Sequence, residues 1–370
     1  MQIGCVTEIK KHEYRVGITP QCAAAYAAHN HTVVIQAGAG AGTGFDDAQY
    51  VAAGARIEED REKIFATSDM IIKVKEPQAS EYTLLREGQI LFTYLHLAAD
   101  EAQTRALLER KIIGIAYETI QHEDGTLPCL KPMSEIAGRL SIQEGAKYLE
   151  RPSGGRGVLL SGVPGVPRGK VAILGGGVVG INAARIAAGF GAITTVLDIN
   201  PNRLAYIEDI FHGAVSTLYS NEDNIRSVLG ECDLLIGAVL IPGARAPRLV
   251  RREHLSLMKK NSVIVDVAVD QGGCIETTKA TTHDDPVYAV DDIIHYCVAN
   301  MPGAVALTST LALTNTTLPY GLTIADHGPE KACKMKKDLK RGLNVYRGKC
   351  TFKDVAAAFG LEWTDPDSLL

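Results

Sequence analysis

Three glycines carry the most specific chemical signal in the chain. Gly175, Gly177 and Gly180 stand in G-x-G-x-x-G spacing, directly after the apolar run VAIL (171–174) and before the helical pattern INAARIAAGFG. In that context the first glycine makes a tight turn, the second lets backbone approach a pyrophosphate, and the third packs a helix against a strand. The helix N-terminus then offers N–H groups and partial positive charge to phosphate. The next apolar run, TTVLDI (194–199), places Asp198 23 residues beyond Gly175, the spacing of an acid that accepts hydrogen bonds from an adenosine ribose. A carboxylate there repels a 2′-phosphate, so NAD is favoured over NADP, and the nearby Arg203 softens that preference.

Further polar groups close apolar runs, where α/β sheets present side chains to ligands. His96 ends ILFTYLH, and Asp270 ends VIVDVAVD before Gln271-Gly272-Gly273. A lone histidine on a strand is more often structural, and an acid before a glycine pair either faces a crevice or caps a turn. Asp266, inside the same run, reads as structural. Arg15 in EYRVGITP and Lys75 in IIKVKEP could hold a small carboxylate, the arginine as a fork and the lysine as a point charge. Each alone is more often a surface ion-pair residue. Lys73 lies two residues from Lys75, so the period of two cannot choose between them.

The elements that must position these groups alternate between strand and helix, the pattern of βαβ units and parallel sheets. Strands are expected at 3–6, 32–38, 70–76, 89–96 and 112–118, with a helix at 100–109. Thr19 and Pro20 read as the N-cap and first residue of another helix. A long helix is expected over 133–150, followed by a Gly/Pro-rich loop or hairpin over 153–170. A second set of strands follows at 171–174, 194–199, 234–240, 262–269 and 287–290. Helix resumes over 308–326, and 329–349 reads as a basic amphipathic helix with a solvated face. The expected architecture is α/β with two Rossmann-like domains. The NAD-binding domain (131–307) is inserted in a discontinuous substrate domain (1–130 and 308–370), with two long helices joining them and a cleft between.

Bulk composition excludes several classes. The 370 residues carry 38 basic and 43 acidic side chains, a net charge of −5, unlike a strongly basic nucleic-acid binder. Aromatic residues make up only 6%, too few for a single-strand stacking surface. No apolar run is long and uninterrupted enough to span a membrane. The N-terminus lacks a secretory signal pattern. The eight cysteines show neither C-x-x-C pairing nor zinc spacing, so they read as buried free thiols in a reducing, cytoplasmic setting.

Nine segments together extend the picture: EYRVGITP (13–20), KVKEP (73–77), QILFTYLHLA (89–98), MSEIAGR (133–139), GGVVGINAARIA (176–187), VLIPGARAP (239–247), DVAVDQGGC (266–274), YCVANMP (296–302) and IADHG (324–328). With them the chain resembles the alanine dehydrogenases from end to end. The resemblance implies reversible, NAD-dependent oxidative deamination of L-alanine to pyruvate and ammonium. It also implies a homo-oligomer, in that family a hexamer, with no nucleic-acid or membrane partner. Carried over by motif, Arg15 and Lys75 hold the substrate carboxylate, while His96 and Asp270 are catalytic. The implied cofactor set adds Ser134, Val178, Val179, Arg203, Ser220, Val239 and Leu240 to the glycines and Asp198. It continues with Val267, Ala268, Val269 and Asp270, then Lys279, then Val298, Ala299, Asn300 and Met301. Glu118 and His327 match positions suggested to hold a divalent ion in some relatives, but two ligands do not define a site, and no metal is expected. The rival readings are the NAD(H)-binding component of a proton-translocating transhydrogenase, a saccharopine-type dehydrogenase and a catalytically silent NADH sensor.

Overall fold

A computed structural model describes residues 1–239, 247–269 and 272–370, and every count below refers to these. The chain divides into two compact units. Unit 1 comprises Met1–Met133 and Gly303–Leu370, and unit 2 comprises Ser134–Pro302.

Unit 1 opens with β1 (Gln2–Cys5), α1 (Pro20–Ala28), β2 (Thr32–Gln36), α2 (Asp47–Ala52), β3 (Arg56–Glu58), α3 (Arg61–Thr67) and β4 (Met70–Ile72). It continues with β5 (Ile90–Thr93), α4 (Glu101–Glu109) and β6 (Ile113–Ala116). Helix α5 (Lys131–Tyr148) leads into unit 2. There β7 (Lys170–Leu174), α6 (Val178–Gly189), β8 (Ile193–Asp198), α7 (Pro201–Phe211), β9 (Val215–Tyr219), α8 (Glu222–Glu231) and β10 (Leu234–Gly237) follow in order. Strands β11 (Val263–Asp266), β12 (Val287–Val290) and β13 (Ile293–Tyr296) close that unit. The chain then returns to unit 1 as α9 (Ala306–His327), α10 (Pro329–Met335), α11 (Lys337–Arg341), β14 (Leu343–Tyr346), β15 (Lys349–Cys350) and α12 (Lys353–Phe359).

Each unit is built on one sheet. In unit 1 the order is β15-β14-β6-β5-β4-β1-β2-β3, parallel except where β14 runs against β6 and β15 against β14. In unit 2 it is β12-β13-β11-β10-β7-β8-β9, with only β12 antiparallel. Both contain the doubly wound order in which the chain reverses direction beside the first strand. Ligands bind at the carboxyl ends of the strands at such a switch point. The switch lies between β1 and β4 in unit 1 and between β7 and β10 in unit 2. The central strands are buried along nearly their whole length, as parallel sheets covered on both faces require.

Local chemistry sets the boundaries. The Thr19 hydroxyl accepts from Cys22 N at 3.2 Å and Pro20 opens α1, as the sequence predicts. The loop after α5 contains a turn bridged between Val163 and Val166. Several expected elements differ. The strands at 70–76 and 89–96 stop at Ile72 and Thr93, although Lys73 N still donates to Phe92 O and Tyr94 N to Val74 O just beyond them. The expected helix over 329–349 is helical only as far as Arg341. Leu343, Asn344 and Val345 are buried as the strand β14, paired with β6, after Gly342 ends the helix. All eight cysteines are buried and free. No helix among the described residues is long and apolar enough to cross a membrane.

Candidate active site

In unit 1 the polar groups gather just past the carboxyl ends of β1, β4, β5 and β6. Glu8 follows β1, Lys73 and Lys75 follow β4, His96 follows β5 and Glu118 follows β6. Arg15 lies in the segment leading to α1. It is buried, and its Nε and Nη2 donate to the two carboxylate oxygens of buried Glu13 at 2.6 and 2.5 Å. Burial pushes the Arg15 guanidinium pKa down, but the Glu13 hydrogen bonds and charge outweigh it, and the net shift is upward. Arg15 Nη1 lies 3.1 Å from Met133 Sδ, so one edge of the fork rests on α5.

The two lysines after β4 have opposite environments. Lys73 is fully buried between Glu8 and Glu81, with Nζ 3.1 Å from a carboxylate oxygen of each. Burial pulls its pKa down, the two carboxylates pull it up more strongly, and it stays charged. Lys75 is partly buried, and no carboxylate among the described residues lies within ion-pair distance of its ammonium. Burial and then the Arg15 charge push its pKa down. A cation held in this way gains most from an incoming anion. The structure thus separates two residues that strand periodicity cannot.

His96 has a left-handed backbone, with φ 50° and ψ 36°. Glu118 supports that turn: its Oε1 accepts from His96 N at 2.6 Å, and both oxygens lie 3.2 Å from Leu95 N. The imidazole is 43% exposed, stands 4.0 Å from Glu118 through Nδ1, and stacks on Tyr94 with centroids 5.7 Å apart and planes 6° from parallel. Tyr94 is itself fixed by donating to Cys129 O at 2.6 Å, and the Arg15 charge bears on its hydroxyl. Tyr94 therefore links the histidine to the cationic end of the site. Tyr94, Glu13 and Glu8 were not singled out from the sequence, because their partners are set by tertiary contacts. Among the described residues no group of three or more His, Cys, Asp or Glu side chains could hold a metal. The Glu118 carboxylate is engaged by main-chain N–H groups.

In unit 2 the glycine loop joins β7 to α6. Gly175 has φ 99°, and a Cβ at Gly180 would lie 1.8 Å from Gly175 O, so this strand and helix meet only with glycine at position 180. No side chain caps α6 at Gly177, which leaves the first-turn N–H groups of Val178 and Val179 without a side-chain acceptor. A Cβ at Gly177 would meet nothing within 4 Å, so the space before that N-terminus is open. An uncapped, unobstructed helix start of this kind fits a dinucleotide pyrophosphate. Asp198 ends β8. One of its oxygens accepts from Gly176 N at 2.7 Å and the other from Asn200 N at 2.8 Å. Arg203 stands in the first turn of α7, with its stem over the same glycine loop.

The remaining predicted cofactor positions lie around that sheet edge. Ser134 is on α5, which is tied to the first turn of α6 by Arg139 Nε donating to Asn182 Oδ1 at 3.1 Å, while Asn182 Nδ2 donates to Val178 O. A Cβ at Gly138 would fall 2.2 Å from Val179 O, so the two helices touch backbone to backbone. Ser220 follows β9 and Val239 follows β10. Val267, Ala268 and Val269 follow β11, whose last residue, Asp266, is fully buried and accepts from Ala268 N at 3.0 Å and Thr278 Oγ1 at 2.7 Å. Lys279 is held by Tyr288, to whose Oη its N–H donates at 2.8 Å and over whose ring its ammonium sits at 4.7 Å. Val298, Ala299, Asn300 and Met301 follow β13, with Ala299 N donating to Thr281 O and Asn300 at φ 62°. Leu240 and Asp270 lie outside the described residues.

A dinucleotide-type glycine loop in one unit and a histidine among buried cations and carboxylates in the other are features of a two-unit, dinucleotide-dependent α/β oxidoreductase. Family comparison makes this specific. The profile "Alanine dehydrogenase/PNT, N-terminal domain" matches residues 4–137, and "Alanine dehydrogenase/PNT, C-terminal domain" matches 141–353. The chain belongs to the alanine dehydrogenase/PNT family. It is 56% identical to an alanine dehydrogenase of Methanococcus maripaludis over 371 residues, covering all of both chains. A solved L-alanine dehydrogenase superimposes with a TM-score of 0.95 at 50% identity, over 97% of this chain and 99% of that one. A transhydrogenase of Sinorhizobium meliloti shares the fold, with a TM-score of 0.82 at 24% identity, over 95% of this chain and 99% of that one.

Proposed function

We propose that this protein is an L-alanine dehydrogenase, converting L-alanine, NAD+ and water reversibly to pyruvate, ammonium, NADH and a proton. The observation that carries the reading within the site is Lys75. Its partly buried ammonium has no carboxylate within ion-pair distance among the described residues, and the charge of the neighbouring Arg15 bears on it. A small monocarboxylate supplies the missing charge.

Bound NAD+ supplies the hydride acceptor for Cα. The chain's own groups do the rest. Lys75 attracts the carboxylate and Arg15, fixed by Glu13, gives it a defined direction. His96 exchanges a proton with the water that adds to the oxidised carbon. Asp270 orients the amine and balances its positive charge. The uncapped start of α6 receives the pyrophosphate and Asp198 the adenosine ribose. Ser134, Arg203, Ser220, Val239, Leu240, Lys279 and the stretches 267–270 and 298–301 complete the cofactor contacts. The reading extends to a homo-oligomer, a hexamer by resemblance, in the cytoplasm. The buried, unpaired thiols support a reducing compartment.

The test is NADH absorbance with purified protein, L-alanine and NAD+ at alkaline pH, run in reverse with pyruvate, ammonium and NADH. NADP+, L-serine and D-alanine serve as comparators. Turnover confined to L-alanine and NAD+ supports the reading. Tight NADH binding without turnover overturns it in favour of a transhydrogenase-type component or a sensor.

A further inference from the structure

The loop after β1 and the loop after β4 are joined by a charge network that no substrate needs to touch. Glu8 Oε1 accepts from Val74 N at 2.6 Å and from Lys75 N at 3.4 Å, so this carboxylate holds the main chain that carries the Lys75 side chain. Its other oxygen meets Lys73, its one salt-bridge partner among the described residues. Glu81 on the far side of Lys73 has a second partner, Arg61, at 2.8 Å. Glu8 and Lys73 are essentially without solvent exposure, at 2% and 0% of their side chains.

A bare carboxylate bonded to the Lys75 backbone would work against an anion site. It would neutralise Lys75 and repel the incoming carboxylate. The geometry points to Glu8 and Lys73 as a positioning pair for the anion site: Glu8 fixes the Lys75 main chain, and Lys73 cancels the Glu8 charge so that Lys75 remains the net cation. On the neighbouring segment the arrangement is reversed, since Glu13 neutralises Arg15 and leaves Lys75 as the unmatched cation. The inference rests on the reading of Lys75 as the carboxylate anchor.

Opposite signs from the two partners are the signature. Burial already pushes the Glu8 pKa up and Lys73 is the main charge pulling it down, so Lys73→Met raises the KM for pyruvate about tenfold only at a pH high enough to keep Glu8 ionised, for a unit charge acting across roughly 10 Å at an intermediate dielectric. Glu8→Gln keeps an oxygen for the Val74 N–H, removes the charge, and leaves the pyruvate KM equal to or below that of the wild type. The double variant Lys73→Met/Glu8→Gln recovers most of the loss. The KM for NADH stays within about twofold throughout, since the charge acts at the anion site.

Purified full-length proteins are compared by steady-state kinetics and by calorimetric titration of pyruvate into the NADH complex. A double variant no better than Lys73→Met, or equal shifts for NADH and pyruvate, overturns the pairing. If Lys73→Met does not fold, the Glu8→Gln arm decides, because a purely structural Glu8 predicts weaker pyruvate binding. Failure of wild-type turnover with intact pyruvate binding rejects the dehydrogenase reading and leaves this inference to the calorimetric arm. Absence of pyruvate binding to the wild type overturns both.

Discussion

Asp266 is a buried carboxylate with no cation paired to it among the described residues, and replacing it should stabilise the protein. Burial pushes its pKa from an ordinary 3.8 to about 6, with the Thr278 hydroxyl and the Ala268 N–H only partly offsetting the desolvation. The folded state thus binds this proton more tightly than the unfolded chain. Below about pH 4 both states are protonated and the carboxyl costs nothing. As pH rises from about 4 to about 6, the unfolded chain has released the proton while the folded one still holds it, so stability falls. Above that range the cost is constant, about 3 kcal/mol at about 1.4 kcal/mol per pKa unit. Asp266→Asn keeps an oxygen for Ala268 N. Its new N–H groups face the Thr278 hydroxyl, which can turn its own proton to Ile275 O at 2.8 Å. The assay is thermal unfolding of wild type and variant from about pH 4 to 8. The two should coincide at the acid end and separate by about 5–10 °C above pH 7, for a unit of this size. A separation that does not change with pH, or a variant less stable than wild type at pH 8, refutes the reasoning.

Lys75→Met should remove an ionised lysine that the fold disfavours. Turnover of pyruvate falls by about 100-fold or more, as for truncation of one partner of a desolvated charge pair. The folded pKa is depressed, so the variant's stability advantage is full below that pKa and fades as pH rises through it, which melting curves at several pH values check. Gly180→Ala puts a methyl against Gly175 O, and NADH binding measured by fluorescence titration should be lost while unit 1 stays folded by proteolysis. Asp198→Ala frees the Gly176 N–H and removes the charge beside Arg203. The preference for NAD+ over NADP+, read as the ratio of kcat/KM values, should fall by about tenfold or more. Glu118→Ala removes the acceptor that holds His96 in its left-handed turn. It should lower kcat with little change in the KM for NADH, should be rescued by Glu118→Gln, and should add little to His96→Ala.

The parts legible in the sequence are those whose cause is local. Thr19 caps its helix through a hydroxyl three residues from its donor, and the glycine fingerprint works through a turn and a helix start only five residues apart. Strand ends at Lys73–Lys75 and His96 could be marked as ligand-facing because an apolar run stopped there. What could not be read is every decision made by a partner far along the chain. Lys73 and Lys75 look alike in sequence, and the choice between them is made by Glu8, 66 residues before Val74, and by Glu81. The backbone of His96 is set by Glu118, 22 residues later. The run LNVY carries no strand signal stronger than the basic helix before it. It becomes β14 because the edge of β6 supplies the ladder it needs. Strand periodicity can place a cation at a sheet edge, but the charge it presents depends on the carboxylates that tertiary folding brings to its neighbours. For this site the sequence therefore names the anchor candidates, and the fold decides which of them is matched by carboxylates and which is not.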